Sequence, residues 1–267
     1  MKHFKQKYGS WAMVTGATSG IGRAIAVQLA ETGMNIILVA RNSQNLSNVE
    51  TEIQNKYSVE TKSFSADLSL EADIRTLFTK TENMEVGILV HSAGIEENGA
   101  FERNDLSKEI RVIDINAKAA MMLVHNYLQP MVKRKKGGIL LISSMAGHMP
   151  NPYLANYAGT KAYILNFASS LYGELRNKNI SISVLSPGVT DTPMIKNNGI
   201  DFSKMPLSRM SPKKVAEIAV KQLGKKLVII PGFSNRFMIF MSNHTPYAVN
   251  AVINELLMRK AVQSDKL

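Results

Sequence analysis

The chain has 267 residues, 45% hydrophobic and 20% charged, enough apolar material for the core of one α/β domain. It has no cysteine, and its five histidines are scattered without an HExxH-like pair, so disulfides are excluded and metal catalysis is not expected. The formal charge of +11 suits an anionic partner, yet no aromatic residues interleave the basic clusters, so nucleic acid is not an expected partner.

In chain order, Met1-Lys2-His3-Phe4-Lys5-Gln6-Lys7-Tyr8 is basic but lacks the apolar stretch of a signal peptide. No run of about 18 apolar residues follows, and the expected location is cytoplasmic. Trp11 to Val14 reads as a strand leading into Thr15-Gly16-Ala17-Thr18-Ser19-Gly20-Ile21-Gly22, after which Ile21 to Ala30 carries helical periodicity and stops at Gly33. Asn35 to Ala40 reads as a second strand, continuously apolar from Ile36 as a parallel strand covered on both faces should be. Further strands are expected at Val59–Phe64, Val86–Val90, Ile139–Ile142 and Ile180–Leu185, and Lys226–Ile230 reads as a seventh. Lys133 to Lys136 close a long helix, where cations complement the dipole, and Gly137-Gly138 is expected to form its C-terminal turn. This alternation implies right-handed crossovers and a doubly wound α/β fold, a seven-stranded parallel sheet with helices on both faces. No linker interrupts it, so residues 1–267 read as one domain. Residues 187–211 read as a substrate loop and residues 232–267 as a C-terminal helical extension.

Gly16, Gly20 and Gly22 follow a strand and open a helix, the context a dinucleotide site requires. Glycine lets the backbone approach a pyrophosphate, whose charge the helix N-terminus favours, and Thr18, Ser19 and Ile21 share the turn. An acidic residue at the end of the second strand would hold a ribose 2′-hydroxyl; Arg41 stands there instead, placed to pair with a 2′-phosphate. The expected cofactor is therefore NADP (NADPH).

Tyr157 and Lys161 lie four apart on one helix face. An ammonium there should pull the phenol toward a working pKa, while Ser144, at a strand end, can donate to a substrate carbonyl oxygen. The glycine turn, Ser144, Tyr157 and Lys161 at these spacings resemble the short-chain dehydrogenase/reductase family, from about residue 8 to residue 192. The resemblance implies a Rossmann fold in which Lys161 also binds the nicotinamide ribose. Asn116, in Asp114-Ile115-Asn116-Ala117, matches the asparagine supporting a proton-relay water. Asp67-Leu68 matches the pair that contacts adenine, although an aspartate there also suits a helix cap. His91-Ser92-Ala93-Gly94 replaces the family's Asn-Asn-Ala-Gly. It keeps Ala93 and Gly94 for close backbone approach to the cofactor, and His91 is expected to satisfy a local backbone group. Pro187-Gly188 matches the segment beneath the nicotinamide and Thr192 the threonine that touches its carboxamide, with Thr190 where valine is usual. Family members are commonly dimers or tetramers, so a homo-oligomer is implied. Lys7–Ala12 and Val39-Ala40-Arg41 look like the branch of 3-oxoacyl-thioester and hydroxysteroid reductases.

The pocket walls are expected from Met145–Asn156 and Asp191–Met210, including Met145, Met149, Tyr153, Leu154, Met194, Met205 and Met210. These suit a lipophilic ketone or acyl chain, or simply pack the loops onto the sheet. His148 lies near Ser144 in sequence and either faces substrate or is exposed. Phe237, Phe240, Met241 and His244, then Val249, Val252, Ile253 and Leu256, recur at helical spacing. Such faces could cover the pocket, join subunits or lie on a membrane surface, and burial against protein is the ordinary outcome. The functional expectation is an NADP-dependent oxidoreductase interconverting a carbonyl and a secondary alcohol; the alternative is a sensor or scaffold on the same fold that binds NADPH without turnover.

Overall fold

The continuous apolar runs form the central strands because both of their faces are covered. The strands are β1 (Trp11–Thr15), β2 (Asn35–Ala40), β3 (Thr61–Ser65), β4 (Val86–His91), β5 (Gly137–Ile142), β6 (Ile180–Leu185) and β7 (Val228–Ile229). They make one parallel sheet in the order β3-β2-β1-β4-β5-β6-β7. The structure is a computed structural model describing residues 4–196, 198–205 and 208–263; residues 1–3, 197, 206–207 and 264–267, which fall in the N-terminal segment, the loop and the C-terminal extension, lie outside the described residues.

The helices are α1 (Phe4–Tyr8), α2 (Gly20–Glu31), α3 (Ser43–Lys56), α4 (Glu71–Thr81), α5 (Leu106–Ile113), α6 (Ala119–Lys133), α7 (Ala155–Leu175), α8 (Pro193–Lys196), α9 (Pro212–Gln222), α10 (Phe233–Asn243) and α11 (Tyr247–Ala261). A π-helical turn, Asp114–Lys118, joins α5 to α6. Side chains alternate across the sheet. Ala12 and Val14 of β1 meet α2, α3 and α9 on one face, while Met13 meets the core under α4, α6 and α7 on the other. The sheet order reverses between β1 and β4, and doubly wound folds bind ligands in the crevice beyond the strand ends at such a point.

Two expectations change. Gly137 and Gly138 do not end α6; they are the first residues of β5, and Lys135 takes the left-handed turn at φ 51°. Glycine is required there by packing, since a Cβ on Gly138 would stand 2.9 Å from the Tyr8 ring, and one on Gly137 would press into Met131. The loop after β6 is also less irregular than its composition suggests, for it contains α8, a 3₁₀ turn at Phe202–Lys204, and bridges from Thr190 to Met210 and from Ile200 to Val262.

Gly138→Ala should therefore destabilise the fold by about 1–3 kcal/mol through overpacking. Gly173→Ala, where nothing lies within 4 Å of an added Cβ, should stabilise α7 by about 0.5–1 kcal/mol. Urea denaturation midpoints of the two variants check both signs.

Candidate active site

The glycine turn makes the first wall. Ser19 precedes α2 in extended backbone and makes no side-chain cap, and the first turn carries no acidic residue. The Arg23 amide donates to the Ser19 carbonyl at 3.1 Å, and the Gly20, Ile21 and Gly22 amides of the first turn before it have no acceptor within the helix. They stand at the positive end of the dipole, and all three residues line the main cavity. Gly16 has φ 64°, and a Cβ there would come within 2.9 Å of the Ala93 backbone; one on Gly22 would collide with the Gly16 carbonyl.

A buried polar network fixes this corner. His91 Nε2 lies 3.1 Å from the Ile115 carbonyl, which can only accept, so that nitrogen donates. In the neutral ring Nδ1 then accepts from the Thr15 hydroxyl at 3.2 Å, and Thr15 Oγ1 accepts from the Ser92 and Ala93 amides, each at 3.1 Å. Burial, with the Lys161 charge second, pulls His91 from 6.5 down to about 3. At the first of the two asparagine positions, this chain thus has a neutral imidazole joining β1, β4 and the π-helical turn.

Asn116 sits in that turn, almost fully buried. Its Oδ1 accepts from the Ile95 amide at 3.0 Å, and its Nδ2 donates to the Ile95 carbonyl at 2.9 Å and to Thr160 Oγ1 at 3.1 Å. Thr160 in turn donates to the Tyr157 carbonyl at 2.7 Å. The side chain therefore clips the segment after β4 to α7 rather than bonding locally.

Ser144, Tyr157 and Lys161 line the same cavity as the glycine turn, which holds about 290 Å³. The Ser144 hydroxyl bonds the Tyr157 phenol and accepts from the Ala146 amide at 3.2 Å. Lys161 donates to the Ile142 carbonyl at 3.1 Å, and its Nζ lies 5.5 Å from the Tyr157 ring centroid. The phenol does not respond as expected. Burial, with the Glu96 carboxylate second, pushes Tyr157 above its ordinary value, and the Ser144 hydrogen bond offsets only part. The ammonium does not dominate because it is itself buried, which pulls Lys161 down to about 8 against the support of Glu96. Tyr157 is a protonated acid at neutral pH.

Of the remaining cofactor candidates, Ser19, Ala93, Gly94, Pro187, Gly188 and Thr192 line the cavity, as does Thr190, whose hydroxyl donates to the Gly188 carbonyl at 3.0 Å. Thr18, Arg41, Asp67, Leu68 and Asn116 do not. Arg41 is exposed and makes no ion pair among the described residues. Asp67 does not cap α4, whose cap position is Leu70; its carboxylate instead accepts from Ser69 and from Arg111 at 2.5 Å. Leu68 is buried in the core.

Met145, Met149, Leu154, Met194 and Met205 line the cavity, but Tyr153 and Met210 do not. The Tyr153 hydroxyl turns outward to Glu255 at 2.8 Å, and Met210 pairs with Thr190 and packs on the sheet core. His148 is neither exposed nor on the cavity wall; it is partly buried and bonds Ser186 at 2.9 Å, and burial lowers its pKa. Ile195 and Phe202, within the expected Asp191–Met210 wall, line the cavity as well, whereas sequence reasoning missed Glu96, Met238, Leu257 and Met258. The apolar repeat of α10 and α11 does not pack on this chain's own core, which leaves an interface or a surface contact for it. Phe237, Phe240, Met241, Val249, Val252, Ile253 and Leu256 are exposed, while Asn235 and Asn250 are buried.

An anion-binding helix terminus and a serine–tyrosine–lysine group sharing one cavity at the switch point of a Rossmann sheet define a nicotinamide-dependent oxidoreductase. The short chain dehydrogenase family model matches residues 10–201, and the chain belongs to that family, in its hydroxysteroid and 3-oxoacyl reductase branch. It is 29% identical over 246 residues to a 7beta-hydroxysteroid dehydrogenase of Mediterraneibacter gnavus, covering 90% of this chain and 94% of that one. It is 34% identical over 222 residues to a very-long-chain 3-oxoacyl-CoA reductase of Mus musculus, covering 82% and 70%. A solved 7beta-hydroxysteroid dehydrogenase structure superposes with a TM-score of 0.85 at 27% identity, over 94% of this chain and 98% of that one. A short-chain dehydrogenase from Sphingobium yanoikuyae in complex with NADPH superposes with a TM-score of 0.80 at 27% identity, over 88% and 93%. No helix among the described residues is long and apolar enough to cross a membrane.

The buried imidazole makes stability depend on acid. The folded His91 holds its proton less tightly than the unfolded 6.5, so the unfolded state binds more protons, and stability falls as pH drops below 6.5 toward about 3. Between pH 6.5 and pH 5 the loss assigned to this residue is about 2 kcal/mol. Urea denaturation at the two pH values should show a difference between the chain and His91→Asn of that order; parallel pH slopes would refute the assignment.

Proposed function

We propose that the chain reduces a lipophilic ketone or 3-oxoacyl compound to a secondary alcohol with NADPH. The observation that supports this most is the single cavity shared by the uncapped α2 terminus and by Ser144, Tyr157 and Lys161. The donor set fits the cofactor: the first-turn amides of Gly20, Ile21 and Gly22 for the pyrophosphate, with Gly16, Thr18 and Ser19 in the turn beside them, and an exposed Arg41 for a 2′-phosphate. Ala93 and Gly94 would allow close backbone approach, Asp67 and Leu68 would lie toward the adenine, and Pro187, Gly188 and Thr192 toward the nicotinamide. When bound, the nicotinamide supplies the hydride.

This chain's own groups handle the oxygen. Ser144 donates to the carbonyl oxygen and Tyr157 delivers the proton as negative charge develops there. The raised phenol suits this direction, since the acid stays protonated until it is used. Lys161 holds the ribose and keeps a cation beside the ring. Asn116 supports the relay by tying Ile95 to Thr160, the residue before Lys161 on α7. The apolar wall from the methionines and α11, and relatives named for hydroxysteroids and very-long-chain 3-oxoacyl-CoA, favour a bulky lipophilic substrate.

The assay is cofactor oxidation over a panel of lipophilic ketones, diketones and 3-oxoacyl thioesters. Turnover should prefer NADPH to NADH, and Tyr157→Phe should lower kcat by about 10²–10⁴-fold. Arg41→Ala should weaken NADPH by about 10–100-fold while sparing NADH. NADPH binding without turnover on the whole panel would move the reading to a cofactor sensor.

The outward apolar faces of α10 and α11 also favour a homo-oligomer, since a patch of such large apolar residues is rarely left in water. Light scattering after size exclusion should give a dimer or tetramer, reduced to monomer by Phe237→Glu with Val252→Glu. A monomer that co-sediments with anionic vesicles would replace this with a membrane-surface role.

A further inference from the structure

Glu96 follows the Ala93-Gly94-Ile95 segment and reaches the cavity that holds Ser144, Tyr157 and Lys161. Among the described residues lining that cavity, only Glu96 and Lys161 carry charge. The carboxylate is held in place, since Asn198 Nδ2 donates to its Oε1 at 2.6 Å. Asn198 is 7% exposed and belongs to the loop after β6. Its Oδ1 accepts from the Ile200 amide at 3.0 Å, and its carbonyl accepts from Asn98 Nδ2 at 2.8 Å. Glu96 and Asn98 thus grip the loop from the β4 side, and the Asn116 clip on Ile95 fixes the backbone beside Glu96. Ile200 continues the connection through its bridge to Val262, just past α11.

We propose that Glu96 is a positioning residue of this site: it sets an anion beside Tyr157 and Lys161, and through Asn198 it holds the loop over the substrate. The proposal rests on the carbonyl-reductase reading and adds a residue to it. The charged or titratable groups around the phenol are few. Lys161 comes from α7, and His91 behind it on β4 is neutral; among the described residues, the loop, α10 and α11 contribute uncharged side chains to the wall. A nearby anion disfavours a phenolate and favours an ammonium. Glu96 accordingly acts on both groups in the same direction, raising each. It keeps the pair as phenol and ammonium, the state that gives a proton to a carbonyl oxygen. It alters rates and their pH dependence, not the equilibrium between ketone and alcohol.

The test compares pH profiles of kcat/KM in both directions for the wild-type chain, Glu96→Gln and Asn198→Ala, using a ketone from the panel and its alcohol. Glu96→Gln retains an oxygen for Asn198 and loses the charge. Its alkaline loss of reduction and its alkaline gain of oxidation should both move to lower pH by about one unit or more. Asn198→Ala keeps the charge, so its midpoints should stay where they are while KM rises and trypsin cuts the loop faster at Lys204 or Arg209. Wild-type midpoints in Glu96→Gln, or the same shift in Asn198→Ala, would overturn the proposal. A wild-type chain inactive on the whole panel would instead count against the reductase reading. In that case Glu96→Ala must still speed tryptic cleavage of the loop as Asn198→Ala does, and unchanged cleavage overturns the holding role.

Discussion

The Thr15 hydroxyl ties the two halves of the sheet together at the point where the cavity begins. It accepts from the Ser92 and Ala93 amides and meets His91 Nδ1, so the end of β1 is bonded to the end of β4 where the strand order reverses. Each of those amides would otherwise be a donor without a partner, at about 1–3 kcal/mol apiece if buried. Ala93, drawn in this way, lies against Gly16, and Gly16 lies under Gly22. The cradle for the cofactor follows from one buried hydroxyl and two positions where no side chain fits.

The same corner organises the chemistry. His91 reaches past Thr15 to the carbonyl of Ile115, and the next residue, Asn116, clips Ile95 and Thr160. That bond bridges the segment after β4 to the helix carrying Tyr157 and Lys161. Polar groups this deeply buried hold one arrangement because every alternative leaves a partner unsatisfied. Among the described residues no buried side-chain nitrogen or oxygen lacks a hydrogen bond, so the site is held rigidly before substrate arrives. Rigid placement is what a proton donor and a carbonyl-orienting hydroxyl require.

Much of this was legible in the sequence, and the reasons are physical. Strands covered on both faces are largely apolar, so β1, β2 and β4 stand out within a residue or so, and β6 does despite Ser181 and Ser183. The glycine turn is visible because no other residue tolerates those contacts. Gly137 and Gly138 misled for the same reason: a glycine marks a tight place without saying whether the tightness is a turn or a neighbouring ring. Helical periodicity shows that α10 and α11 have an apolar face but not what covers it, and the buried Asn235 and Asn250 show that this chain's own core does not. Glu96 had no signal at all, since a single acidic residue in a loop has neither period nor motif. The pKa direction of Tyr157 was misjudged because the spacing of tyrosine and lysine shows an attraction and hides the cost of burial.

In the proposed reaction, one cavity brings a nicotinamide and a carbonyl together, with Tyr157 providing the proton and the cofactor the hydride. The direct measurement is reduction of a turned-over ketone by NADPH deuterated at the transferring C4 position, in ordinary water, with mass spectrometry of the alcohol. The account predicts deuterium on the carbinol carbon of the product and a protium on its oxygen. An alcohol formed without deuterium on that carbon, from either face of labelled cofactor, would contradict it.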